Sequence, residues 1–158
     1  MILGFDPGRD KCGLAVMGMA GELHYHQVIA ATEAIATIQS LCQQFTIDLL
    51  VMGDRTTSKT WRRQLTENFP NLKIALVDEH CSTLEARDRY WQMYPPQGFQ
   101  RLIPQGMRQP PRPIDDLVAV LLIERYLKRE QGTGRIREQG TGNRGNKGIR
   151  EWGIGNRE

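Results

Sequence analysis

Three places in this 158-residue chain put carboxylates where an apolar run stops or starts. Asp6 ends the run Ile2-Leu3-Gly4-Phe5. Asp78 and Glu79 follow the run that ends at Val77, and Asp115 and Asp116 open the run from Leu117 to Ile123. Carboxylates held at element ends are hard-oxygen ligands suited to Mg²⁺ or Mn²⁺. Two-metal phosphoryl chemistry needs several of them around cations about 3.5–4 Å apart, to orient a water and stabilise the leaving oxygen. Each acid also has an ordinary structural role open to it. Asp6 before Pro7-Gly8 can start a turn. Asp115 or Asp116 can cap a helix, and Asp78-Glu79 can be solvated acids in a strand-to-helix loop.

Cations stand near these acids in the sequence. Arg9 and Lys11 occupy the turn after Asp6. The stretch Arg55 to Arg63 mixes Arg55, Lys59, Arg62 and Arg63 with hydroxyls and Trp61. Such a segment at a helix start can hold phosphates. Arg101, Arg108 and Arg112 fall in the proline-rich stretch 95–113. His24 and His26 alternate on an apparent strand and so share a face, but no third ligand accompanies them. There is no Ser/His/Asp arrangement and no phosphate-binding Gly-rich loop of the Walker type.

The elements that must position these groups follow from periodicity. Ile2–Phe5, Gly13–Met19 and Leu23–Ile29 read as an antiparallel meander. Thr32 is placed to cap a helix over 33–45, and Ser58 to cap one over 58–69. Between them, the nearly all-apolar Asp48–Gly53 is a strand buried on both faces. Lys73–Val77 is the next strand, and Ser82-Thr83-Leu84-Glu85 has the form of a capping box opening a helix over 82–94. Residues 95–113 are too rich in Pro and Gly for regular structure. Asp115 starts a strongly apolar helix through about Lys128. The sum is an α/β fold: three antiparallel strands, then two strands joined through crossover helices, with helices on both faces.

The formal charge of +3 is not a property of the whole chain. Residues 1–130 hold 15 Lys/Arg and 15 Asp/Glu, while 131–158 hold 6 and 3. The basic excess therefore sits in a Gly-rich tail, in which Ile136–Arg144 recurs as Ile149–Arg157. Such a segment cannot form a core, so the expected division is a folded domain over 1–130 and a disordered tail over 131–158. No apolar run is long enough to span a bilayer. Three widely spaced cysteines without metal spacing fit reduced thiols in the cytoplasm.

Three segments resemble the YqgF/RuvC-like proteins of the RNase H-like fold, a family associated with Holliday junction resolution. They are Ile2 to Val16, Val77-Asp-Glu-His-Cys-Ser-Thr-Leu-Glu-Ala-Arg87, and Ile114-Asp-Asp-Leu to Leu127. The resemblance spans about residues 1–129. It implies an RNase H-like mixed sheet and a divalent-metal-dependent endonuclease using Mg²⁺ or Mn²⁺. Asp6, Glu79 and Asp115 fall on the family's acidic positions, with Asp116 as a further candidate ligand. The substrate it implies is structured nucleic acid, either pre-ribosomal RNA or branched DNA, handled by a monomer or homodimer.

One departure stands out. Where the family usually has Gly-Leu-Pro followed by Asn, this chain has Gly53-Asp54-Arg55-Thr56-Thr57. Asp54 is thus a spare carboxylate that could replace Glu79 as the middle ligand. The altered loop also motivates a second expectation, a nucleic-acid-binding or ribosome-assembly module without catalysis. The same strand-turn-strand opening occurs in actin-like and sugar-kinase ATPases, but those need two such domains facing each other.

Overall fold

The computed structural model describes residues 1–141 apart from Thr56 and Cys81, with side chains through residue 132. Strands β1 (Ile2–Asp6), β2 (Lys11–Met17) and β3 (Leu23–Ala30) come first, then α1 (Ala34–Gln44) and β4 (Leu49–Gly53). They are followed by α2 (Ser58–Asn68), β5 (Lys73–Val77), α3 (Ser82–Met93) and α4 (Asp115–Thr141). The five strands form one sheet in the order β3-β2-β1-β4-β5. β1 pairs antiparallel with β2 and parallel with β4, and β4 pairs parallel with β5. This is the mixed sheet that the alternation of strands and helices predicts. The long loop holds only two short 3₁₀ turns, Gly98–Leu102 and Gln105–Met107.

Strand alternation sends Ile2, Gly4 and Asp6 to one face and Leu3 and Phe5 to the other. The first face packs against α3 and α4 through Ile2, Ala15, Met17, Val51 and Val77. The second packs against α1 and α2 through Leu3, Phe5, Leu14, Val16, Leu50 and Met52. Phe5 meets Trp61 edge-on at 5.2 Å, which ties the first turn of α2 to β1.

Two glycines let α4 lie close to the sheet. A Cβ on Gly4 would stand 2.4 Å from the Ala119 carbonyl oxygen, and one on Gly13 would stand 1.9 Å from that of Asp115. Both are backbone collisions that no rotamer relieves. Leu117 to Ile123 are all buried, because α4 has the sheet on one side and α3 on another. Gly13 is registered opposite Asp6, so the seat that admits α4 also brings its N-terminus to the end of β1.

Several expectations are corrected. A 3₁₀ turn, Ala31–Glu33, precedes α1, and Thr32 makes no cap. Ser58 is the first residue of α2 rather than its cap, and the preceding Thr57 makes no side-chain capping bond either. Glu85 does not close a capping box; its carboxylate pairs with Arg125 at 3.0 Å. His24 and His26 do not share a face. The β2–β3 register shifts between Val16 and Met17, which leaves His24 as an extra residue. His24 therefore lies beside the Phe45 ring, whereas His26 reaches Asp116 on the α4 side. Finally, α4 continues past Lys128 to Thr141. Glycine weakens a helix but only proline forbids one, and 116–141 contain no proline. The tail expected over 131–158 thus begins as helix, and its remainder, 142–158, lies outside the described residues.

Candidate metal centre

Asp6 closes β1 on the face turned toward α4 and is half-buried. Its carboxyl is pushed up to about 8, first by burial and then by the charges of Glu79 and Asp115, against a smaller opposing pull from Arg55. Asp6 thus feels acids from two distant parts of the chain. Asp115, the first residue of α4, is also raised by burial, with Asp116 adding to the effect and Lys11 opposing it. Glu79 is raised by burial too, with Arg55 as the main opposing influence.

Glu79 is the most constrained of the three. It lies two residues beyond β5 and is buried. Arg125 of α4 donates from Nη1 to the carbonyl of Asp78 (2.6 Å) and from Nη2 to that of His80 (2.7 Å), gripping the backbone on both sides of Glu79. Ser82 donates from its hydroxyl to the Glu79 carbonyl at 2.8 Å, and the Glu79 amide donates to Asp54 Oδ1 at 3.4 Å. The side chain then lies over Gly53. A Cβ there would stand 1.2 Å from Glu79 Oε1, so only glycine leaves the space it occupies.

Asp116 has another role than the one its sequence position suggests. Its buried carboxylate lies 2.6 Å from His26 Nδ1 and accepts from both Arg112 terminal nitrogens, at 3.0 and 3.3 Å. The Arg112 guanidinium in turn lies over the Tyr90 and Tyr94 rings, 5.6 and 5.7 Å from their centroids. Asp116 thus anchors the end of the proline-rich loop and β3 to the first turn of α4, which spends its oxygens on protein donors. Asp54 is exposed and serves as acceptor for the Glu79 amide.

The profile of the family described as RuvX, Holliday junction resolvase, matches residues 1–129. The chain belongs to the RuvX family. A resolvase is a nuclease, so the acids at this sheet edge sit in a family whose chemistry is phosphodiester cleavage in nucleic acid. No curated protein matches the chain. Among solved structures it is similar to RuvC of Thermus thermophilus, at 13% identity and a TM-score of 0.46, over 84% of this chain and 96% of that one. It is also similar to a protein from Cytophaga hutchinsonii assigned as a sugar kinase, at 13% identity and a TM-score of 0.41. That match covers 58% of this chain and 39% of the other, so the chain spans about two fifths of that protein's length. Both scores are too low to add to the argument.

In this RuvX chain the expected phosphate-binding cations divide by what they already hold. Arg9, Lys11, Lys59 and Arg62 are exposed. Arg63 pairs with Glu67 at 3.0 Å on the outer face of α2. Thr57 donates to the Pro7 carbonyl at 3.4 Å, which sets the start of α2 against the β1–β2 turn. Arg101 donates to the Pro96 carbonyl at 3.2 Å. Arg108 bonds the carbonyls of Gln100, Ile103 and Arg101, a staple that shapes the proline-rich loop. Arg55 stands apart: its Nε lies 2.5 Å from Glu79 Oε2.

The residues present fit a hard divalent cation in charge and donor type. Both Glu79 carboxylate oxygens are buried, and among the described residues the Arg55 guanidinium, paired with Oε2, is their cationic contact. Asp6 is crowded by two further acids. Three buried or half-buried carboxylates with one guanidinium among them are short of positive charge, and a cation relieves that cost. A ready-made cage is a different matter: among the described residues, no three His, Cys, Asp or Glu side chains are grouped closely enough to hold a metal as they stand. Among the same residues, no helix is long and apolar enough to cross a membrane.

The sequence reading missed the glycines and Arg125. The glycines carried a signal. Gly4 lies two residues before Asp6 on its face, and Gly13 and Gly53 lie at the ends of apolar strands beside it. A face of small residues next to a fixed acid marks where a helix or a carboxylate comes close. Arg125 carried none, being one cation among several on a long helix.

Proposed function

We propose that the chain is a divalent-metal-dependent endonuclease acting on structured nucleic acid, either the 5′ region of pre-ribosomal RNA or branched DNA of the Holliday-junction type. The observation that carries this reading is Asp6, half-buried at the end of β1 and pushed up to about 8 by burial and by the charges of Glu79 and Asp115. Groups perturbed by burial together with specific charge partners concentrate at functional sites. Asp6 and Asp115 hold Mg²⁺ or Mn²⁺ directly, and Glu79 holds it or positions the attacking water. When bound, the cation supplies charge to the phosphoryl oxygens and brings the pKa of water toward neutrality. Arg9, Lys11, Lys59 and Arg62 hold the sugar–phosphate backbone at the start of α2 and the β1–β2 turn. A cytoplasmic setting fits the free Cys12 and Cys42 thiols.

The test is cleavage of a four-way DNA junction and of a 5′-extended rRNA precursor by the full-length protein, in Mg²⁺, Mn²⁺ and EDTA. Cleavage of either in metal and of neither in EDTA supports the reading; cleavage in EDTA contradicts it. A second reading, a binding module without catalysis, is favoured by the Arg55–Glu79 ion pair and by the lack of a ready-made cage among the described residues. Salt-sensitive binding without cleavage in any divalent metal would support it.

Arg125→Ala is expected to lower cleavage about 10–100-fold, the usual effect of losing a group that orients a ligand. Its removal leaves the Asp78 and His80 carbonyls without this donor. Arg125→Lys should recover little, because an ammonium lacks the fork that spans two carbonyls. Single-turnover rates beside melting temperatures check this; full activity in Arg125→Ala would show that Glu79 is held without it.

A further inference from the structure

Arg55 is the residue that sets this centre apart from an open cluster of acids. It lies two residues beyond β4. Its side chain is 59% exposed, whereas that of Glu79 is 3% exposed. The two partners are also held very differently. Glu79 is pinned through its backbone by Arg125, Ser82 and Asp54 and confined by Gly53. Among the described residues, the Arg55 backbone is held at its carbonyl, which accepts from the Ser58 amide at 2.8 Å. Its long side chain reaches in from solvent. If the pair opens, Arg55 is the member that moves.

A guanidinium on Glu79 also opposes the proton affinity of Asp6, so its charge is felt across the acid cluster. It supplies part of the positive charge that the buried acids lack. A divalent cation bound by Glu79 and Asp6 would place two further positive charges beside it, and like charges at that range repel. Cation and guanidinium therefore compete for one carboxylate. Once displaced, Arg55 remains just before α2 and exposed to solvent, where a guanidinium suits a phosphate bidentately.

We propose that Arg55 is an internal counter-ion that holds Glu79 until a divalent cation displaces it, and that the freed guanidinium then binds a nucleic-acid phosphate. This rests on the metal-centre reading above. It makes metal and nucleic acid bind cooperatively: each favours the state in which Arg55 has left Glu79, and the coupling is reciprocal.

The test is calorimetric titration of the full-length protein with Mn²⁺ alone, at pH 8.5 so that protons do not replace the lost guanidinium. Wild type is compared with Arg55→Gln, Arg55→Lys and Asp6→Asn. Arg55→Gln should bind Mn²⁺ about tenfold more tightly than wild type, within the usual range of coupling between sites. Arg55→Lys, which keeps the charge, should stay near wild type. Four-way-junction binding is then measured with and without Ca²⁺. Ca²⁺ should tighten binding in wild type by about tenfold and in Arg55→Gln by less than about twofold. Equal Mn²⁺ affinity in wild type and Arg55→Gln, with Asp6→Asn weaker than both, overturns the proposal and leaves the metal centre standing. No Mn²⁺ binding by any of the four overturns both.

Discussion

Asp6→Asn is expected to abolish cleavage while raising the melting temperature of the metal-free protein. The loss of rate should be at least about 10²–10³-fold, the scale seen when one group that stabilises developing charge is removed. The gain in stability follows from the same carboxylate. Asp6 is raised from 3.8 to about 8 in the folded chain. Between those values the native state keeps a proton that the unfolded state releases, so stability falls as pH rises from about 4 toward 8. Glu79 and Asp115 are raised as well, and act in the same direction. An uncharged amide at position 6 removes the largest of these contributions. The metal-free variant should therefore melt at least about 4 °C above wild type at pH 8, and show a flatter dependence on pH. Mg²⁺ should raise the melting temperature of wild type and leave the variant nearly unmoved. A variant that melts below wild type at pH 8 would show that the Asp6 carboxylate is compensated within the protein.

Gly53→Ala is expected to cost about as much activity as a small displacement of a catalytic group, roughly 10²-fold, with only a moderate loss of stability. The new methyl would stand 1.2 Å from Glu79 Oε1, 2.0 Å from Cδ and 2.4 Å from Cγ. Glu79 cannot escape by shifting its backbone, because Arg125 and Ser82 hold the carbonyls around it. Its carboxylate must rotate away from the acids it works beside. Overpacking of this kind costs about 1–3 kcal/mol. Gly106→Ala is the control. Nothing lies within 4 Å of a Cβ there and the backbone is not left-handed, so rate and melting temperature should match wild type. Wild-type cleavage in Gly53→Ala would mean that Glu79 does not act from this position.

Some of this architecture was legible in the residues, and the reasons are local. Strands such as Leu49–Gly53 and Lys73–Val77 declare themselves because apolar runs of that length have few alternatives. Asp6, Glu79 and Asp115 were legible because each stands at the end of such a run, where the end of an element fixes its direction. Helix starts were less legible. Thr32 and Ser58 have the right chemistry for caps, but local 3₁₀ and helical geometry placed them one or two residues inside. The adjacent pair Asp115-Asp116 could not be separated without the fold. One step along a helix turns a side chain by about 100°, so the Asp115 charge acts on Asp6 while Asp116 meets His26 and Arg112. The bulge that parts His24 from His26 depends on pairing with β2, a long-range fact. The Arg55–Glu79 pair joins residues 24 positions apart through two parallel strands, and neither residue type announces the other.

We propose that Asp6, Glu79 and Asp115 together hold a divalent cation. Crystals of the protein grown with Mn²⁺ and measured at the manganese absorption edge test it most directly. An anomalous peak is expected between these three side chains, with Asp6 and Asp115 oxygens about 2.0–2.6 Å from it and Arg55 turned away from Glu79. A peak elsewhere, or none at a Mn²⁺ concentration that supports cleavage, would contradict it.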